Sequence, residues 1–97
     1  MHFGPIQNGS DLIEQMQQLS DTLNQFIIDN KIDAQEGTKA KEALKNATRE
    51  VNQPKVNKAT LTGYLNSAKE ILAGVSAAGG LVNGITHIIQ AIGGLFI

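Results

Sequence analysis

The residues of this sequence that could take part in catalysis or metal binding are few and far apart. The only imidazoles are His2 and His87, and the chain has no cysteine. A zinc site needs three or four convergent ligands, and His87 has no histidine or acidic residue three or four positions away. We therefore expect no metal site, no disulfide and no thiol chemistry.

Sequence motifs for hydrolysis or nucleotide binding do not occur either. The serines lack the flanking glycines of a nucleophile elbow, and there is no P-loop or dinucleotide-binding fingerprint. Asp33 and Glu36 could act as paired carboxylates, but Asp-x-x-Glu ahead of an apolar stripe is typical of a helix capping box. We predict a protein that is not an enzyme and has no cofactor or small-molecule substrate.

His87 admits two interpretations. Imidazole gains a proton just below neutral pH, so protonation could charge an apolar seam and make this residue a pH switch. The alternative is a histidine that is exposed or hydrogen-bonded to a backbone carbonyl. We favour the alternative.

Charge is unevenly distributed along the chain, although the net charge is only −1. Residues 1–30 contain acidic residues and no lysine or arginine, residues 31–70 contain all the basic residues, and no Asp, Glu, Lys or Arg follows Glu70. The basic stretch Lys39–Arg49 is interleaved with Glu42 and has no aromatic residue for base stacking. It predicts a solvated helix face, and we expect no nucleic-acid partner.

Hydrophobic periodicity predicts an all-α fold, a small bundle of three to four helices in a single domain over residues 1–97. Residues 1–9 carry loop signals and are expected to be a flexible N-terminus without signal-peptide features. Helices are predicted over 10–30, 33–52 and 57–97, the last either one kinked helix or a helix pair. The stripe of the first helix is Leu12, Met16, Leu19, Leu23 and Phe26, and that of the second is Ala40, Ala43, Leu44, Ala47 and Val51.

The uncharged C-terminal segment carries two stripes with alternating steps of four and three residues. The bulky one is Ile71, Val75, Ala78, Val82, Ile85, Ile89, Ile92 and Phe96, and the small one is Ala73, Ala77, Gly80, Gly84, His87, Ala91 and Gly94. Gly79-Gly80 is the expected position of a kink or corner, because glycine weakens a helix. Gly80 and Gly84 form a GxxxG pair, which would permit close helix contact.

Three interpretations of residues 71–97 remain open. The first is a buried helix whose surplus apolar surface meets another copy of the chain, because an uncharged helix needs an apolar surface around it. The second is a membrane-active protein, a toxin or pore component, that inserts this segment, which exceeds the ~20 residues needed to span a bilayer. The third is a helix that lies in the groove of a protein partner.

One resemblance bears on this choice. The stretch NKATLTGYLNSAKEILAGVSAAGGLVNGITHIIQAIGGLFI, residues 57–97, resembles the C-terminal helical tails of bacterial conflict-system and effector-associated proteins. Those tails pair a capped LxxAKEIL helix with a neutral helix rich in Gly, Ala and Ile. The resemblance implies a bacterial adaptor or oligomerisation element and identifies no active site.

These observations together predict a self-association or adaptor module that assembles through its apolar C-terminal helix as a homo-oligomer or with a helical protein partner. We expect it in the cytoplasm, with membrane association as the alternative. Ile85→Asp is expected to disrupt assembly or folding, and Lys45→Ala to have little effect. The predicted interaction residues are Ile71, Val75, Ala78, Gly80, Val82, Gly84, Ile85, Ile89, Ile92 and Phe96.

Overall fold

Four α-helices make up the fold of this chain, for which a computed structural model describes residues 9–95. The helices are α1 (Gly9–Ile28), α2 (Ala34–Val51), α3 (Lys58–Ala73) and α4 (Gly79–Leu95). A single 3₁₀ turn, Ser76–Ala78, precedes α4. No β-strand occurs within residues 9–95, so the predicted all-α bundle is confirmed.

The end of α1 is fixed by a left-handed residue. Asn30 has φ 57°, and asparagine tolerates this conformation better than most residues. The Lys31 N–H donates to the carbonyl of Phe26 (2.9 Å) and the Asn30 N–H to that of Ile27 (3.2 Å). This is the bonding pattern of a Schellman motif. The Lys31 ammonium also lies 5.4 Å from the centre of the Phe26 ring. This cation–π contact joins the two residues on either side of the turn.

Side-chain caps begin the next two helices. The Asp33 carboxylate accepts from the Glu36 N–H (3.4 Å), which confirms Asp33 as the N-cap of α2, whereas the Glu36 carboxylate lies 3.8 Å from the Lys39 ammonium. The Asn57 side-chain oxygen accepts from the Thr60 N–H (2.9 Å) at the start of α3. The Asn57 N–H donates to Glu50 Oε2 (3.0 Å), so one residue joins the end of α2 to the beginning of α3.

The helices pack in a closed cycle. Within residues 9–95, the backbone of α1 lies beside those of α2 and α4, and the backbone of α3 lies beside those of α2 and α4, whereas the diagonal pairs have no Cα atoms within 8 Å of each other. Short connections between consecutive helices favour antiparallel neighbours. The result is a four-helix bundle in which each helix has two neighbours and one side facing away from the core.

All four helices fill the core with the same spacing. Each contains a set of four fully or almost fully buried residues at steps of four, three and four, the seam spacing of helices that pack side by side, and Ala43 of α2 is buried beside its set. Alanines in the α2 set allow its backbone to approach α3 closely. The sets are Leu12, Met16, Leu19 and Leu23; Ala40, Leu44, Ala47 and Val51; Leu61, Leu65, Ala68 and Leu72; and Leu81, Ile85, Ile88 and Ile92.

The C-terminal half differs from the sequence prediction in two respects. The break between helices lies at Gly74-Val75, where Gly74 ends α3 and Val75 is extended (φ −111°, ψ 111°), so Gly79-Gly80 is not the corner. The glycine pair instead forms the first turn of α4. In the buried stripe of α4, Leu81 and Ile88 take the places of Val82 and Ile89, whereas Ala78, Ile85 and Ile92 are buried as predicted. The centre of the buried face therefore differs from the predicted one by about 40° around the helix.

Candidate functional site

The predicted interaction residues do not form one surface. Ala78, Ile85 and Ile92 are fully buried within the chain, and Gly84 is buried as well. Ile71, Val75, Val82 and Ile89 are half-buried and pack against the core from its edge. Gly80 is exposed, and Phe96 lies outside the described residues.

This distribution corrects the expected role of two large aliphatic residues. Ile85 and Ile92 were predicted as interaction residues, yet both have 0% exposure within the single chain. Their side chains are already covered by α1 and α3, the two helices that contact α4. They stabilise the bundle, and they are not available to a partner.

The side of α4 that faces away from α1 and α3 is a continuous neutral surface, which we call the outer α4 face. At 100° per residue its members lie within one half of the helix circumference. All six are exposed: Gly79, Gly80, Asn83, Gln90, Gly93 and Gly94. Thr86 and His87 lie among them and are half-buried. Val82 and Ile89 border the face on one side and Ala91 borders it on the other, and these three are half-buried as well.

The outer α4 face has no Asp, Glu, Lys or Arg, and in this it differs from the exposed faces of α1 and α2. Those helices carry exposed Glu14 and Asp21, and exposed Lys39 and Glu42, respectively. Interface centres are depleted of charged residues compared with the rest of a protein surface. The outer α4 face shares this lack of charged residues.

Within residues 9–95, the glycines of the outer α4 face leave open space where a side chain would be. A Cβ atom built on Gly79, Gly80, Gly93 or Gly94 meets no atom within 4 Å. None of the described glycines has a positive φ, so backbone conformation does not require glycine here either. Gly37 in α2 is the contrasting case, because a Cβ there would lie 2.6 Å from Ile27 Cγ1.

The sequence indicated part of this surface. Gly80, His87, Ala91 and Gly94 belong to the small-residue stripe. Of the six exposed residues of the face, only Gly80 was predicted as an interaction residue. The absence of charge after Glu70 was the signal that could have identified them. Which neutral residues face outward depends on the rotation of α4, and that is set by its packing on α1 and α3.

Neither metal chemistry nor a membrane span is visible in the described part of the chain. Residues 9–95 contain no group of three or more His, Cys, Asp or Glu side chains that could hold a metal ion. None of their helices combines the length and the hydropathy needed to cross a bilayer. The apolar segment 71–97 is not one continuous helix, because α4 begins only at Gly79.

Comparison of the chain with family models, curated proteins and solved structures finds no significant match. The resemblance of residues 57–97 to conflict-system tails therefore rests on the pattern of those residues alone. Any functional conclusion has to come from the surfaces of the chain itself.

Proposed function

We propose that this protein is a non-enzymatic self-association module whose copies join through the outer α4 face. The observation that carries the proposal is the combination of a charge-free outward surface with open glycines on the same helix. The interface has at its centre the exposed residues of that face, and Val82 and Ile89 along one edge. Ile71 and Val75 extend the apolar edge toward the end of α3.

The neutral composition supports this proposal through solvation. An exposed helix face of a monomeric protein normally carries charged side chains, as α1 and α2 do here. Asn83 and Gln90 can exchange hydrogen bonds with water for hydrogen bonds with a partner without the desolvation penalty of a charge. Neutral polar residues therefore suit a surface that is exposed to water in the free chain and covered by a partner in the assembly.

The glycines support it through geometry. Glycine costs about 1 kcal/mol relative to alanine in a helix interior, and less in the first and last turns where these four glycines lie. No contact within the described chain offsets even this smaller loss of helix stability, since alanine would fit at each of the four positions. Without a Cβ, another backbone can approach α4 closely. A second copy of α4 offers the same small residues and can pack symmetrically against the first.

The proposal is tested with a variant that favours the monomer fold but opposes assembly. Gly80→Glu adds a helix-forming residue and places an acidic group in the first turn of α4, where the helix dipole favours it. The same substitution puts a charge on an exposed position of the proposed interface. Gly63→Glu is the matched control, because Gly63 in α3 is exposed and has equally open surroundings.

We expect light scattering across a concentration series to show a defined oligomer for the unmodified chain and for Gly63→Glu. Gly80→Glu is expected to stay monomeric while its thermal stability equals or exceeds that of the unmodified chain. A monomeric unmodified chain at every concentration would contradict the proposal. Equal assembly of the two glutamate variants would contradict the assignment to α4.

A further inference from the structure

A second feature lies on another part of the bundle, in the groove between α1 and α2. The groove has a volume of about 350 Å³, within the range of small-molecule sites. It is lined by Gln17 and Ser20 from α1 and by a row of α2 residues, Lys41, Lys45, Thr48, Arg49 and Asn52. We call it the α1–α2 groove. Since α2 does not contact α4 within residues 9–95, this groove and the outer α4 face are separate surfaces.

The charge of the groove has one sign. Lys41, Lys45 and Arg49 follow one another at intervals of four residues, so they share one face of α2 over about 12 Å. No carboxylate lines the groove. The spacing of Glu42 and Lys45 would allow an ion pair, but in the described residues the ion pair of α2 joins Lys39 to Glu36 (3.8 Å). Lys45 and Arg49 have no carboxylate within 4 Å among residues 9–95.

The two helices also position neutral groups around these cations. The Lys41 ammonium donates to Asn24 Oδ1 (3.0 Å), which holds the side chain across the seam toward α1. Gln17 donates one amide hydrogen to Asp21 (3.0 Å) and retains a second. The Ser20 hydroxyl has no hydrogen-bond partner in the described part of the chain and can donate to an anion.

We propose that the α1–α2 groove binds a phosphate-bearing anion, with Lys45 and Arg49 as its main contacts. Arginine offers a planar pair of N–H donors that matches phosphate oxygens, and lysine adds a mobile point charge. Ser20 and Gln17 supply hydrogen-bond donors from the opposite wall. The phosphate group belongs to a soluble phosphate compound or to a lipid headgroup, and both offer the same chemistry to the groove.

In the test, the full chain is titrated with inorganic pyrophosphate at low salt. Amide proton–nitrogen correlation spectra report the binding. We expect shifts at Lys45, Arg49 and Ser20, with a Kd on the order of 1 mM or tighter. Lys45→Gln with Arg49→Gln should weaken binding by about tenfold or more, because two charged contacts are lost. The control of equal charge is Lys58→Gln with Lys69→Gln, both in α3, which should bind like the unmodified chain.

A parallel arm measures co-sedimentation with phosphatidylcholine vesicles that contain phosphatidic acid. Binding to pyrophosphate would show that a soluble phosphate compound is sufficient to occupy the groove. Binding to the vesicles but not to pyrophosphate, with loss of vesicle binding in the Lys45/Arg49 variant, would identify a lipid headgroup as the ligand. Either result supports the groove. Absence of binding in both arms overturns the proposal. A loss of affinity in the α3 control equal to that in the Lys45/Arg49 variant also overturns it, because it would show that the overall charge of the chain attracts the anion.

Discussion

Replacing a helical glycine with alanine should have opposite effects on stability at two positions of this bundle. Gly37 in α2 and Gly63 in α3 both have helical neighbours, and alanine favours the helix at both positions. A Cβ at Gly63 meets nothing within 4 Å. Gly63→Ala should therefore raise the free energy of unfolding by about 1 kcal/mol.

At Gly37 a second contribution outweighs the first. The new Cβ would lie 2.6 Å from Ile27 Cγ1 and 2.9 Å from its Cδ1, with Ile32 Cγ2 at 3.3 Å. Cγ1 is close to the α1 backbone, so rotation of the side-chain tip alone does not relieve the overlap. Overpacking of this kind costs about 1–3 kcal/mol. After the gain in helix propensity, Gly37→Ala should be destabilising by about 1 kcal/mol.

Thermal unfolding followed by circular dichroism at one fixed protein concentration measures both effects. A change of 1 kcal/mol moves the Tm of a domain this size by about 5 °C, so Gly63→Ala should unfold about 5 °C higher and Gly37→Ala about 5 °C lower. Ile27→Ala combined with Gly37→Ala removes the overlapping atoms. The double variant should then be more stable than the sum of the two single effects predicts.

An equal rise in Tm for both alanine variants would refute the reasoning. It would mean that α1 and α2 do not approach each other at Gly37 as the structure shows. A fall in Tm for Gly63→Ala would instead show that an additional surface covers α3 at this position.

Three further substitutions test the core, the end of α1 and the cap of α3. Ile85→Asp should unfold the chain rather than separate folded copies, because an unpaired carboxylate would replace a side chain with 0% exposure, and circular dichroism distinguishes the two outcomes. Asn30→Ala should lower the free energy of unfolding by about 1–2 kcal/mol because the residue has φ 57°, whereas Asn30→Gly should leave it nearly unchanged. Urea unfolding measures both variants, and equal effects would contradict the left-handed turn. Asn57→Ala should lower stability by about 1 kcal/mol through loss of the α3 cap, and an unchanged urea midpoint would show that the cap contributes nothing.

The sequence was sufficient to predict the inner faces of α1 and α2. Leucines and alanines in those helices recur at one spacing with polar neighbours, so only one face of each helix can be buried. The cap at Asp33 has the same origin, because a short polar side chain stands shortly before the apolar stripe. Local chemistry determines these features without reference to the rest of the fold.

The rotation of α4 could not be predicted in this way. Aliphatic residues occur in adjacent pairs, Leu81-Val82 and Ile88-Ile89, so two faces with identical spacing compete for burial. Only packing against α1 and α3 decides between them. The α1–α2 groove was missed for a related reason: Lys41, Lys45 and Arg49 are distinguishable from a solvated face only when the α1 wall is placed beside them.

The measurement that tests the central claim most directly is a concentration series of amide proton–nitrogen correlation spectra of the unmodified chain. Self-association through α4 predicts concentration-dependent shifts or broadening at Gly80, Asn83, Gln90 and Gly93. The amides of the α1–α2 groove should stay unchanged. Spectra that do not vary with concentration, or changes confined to α1 and α2, would contradict the account.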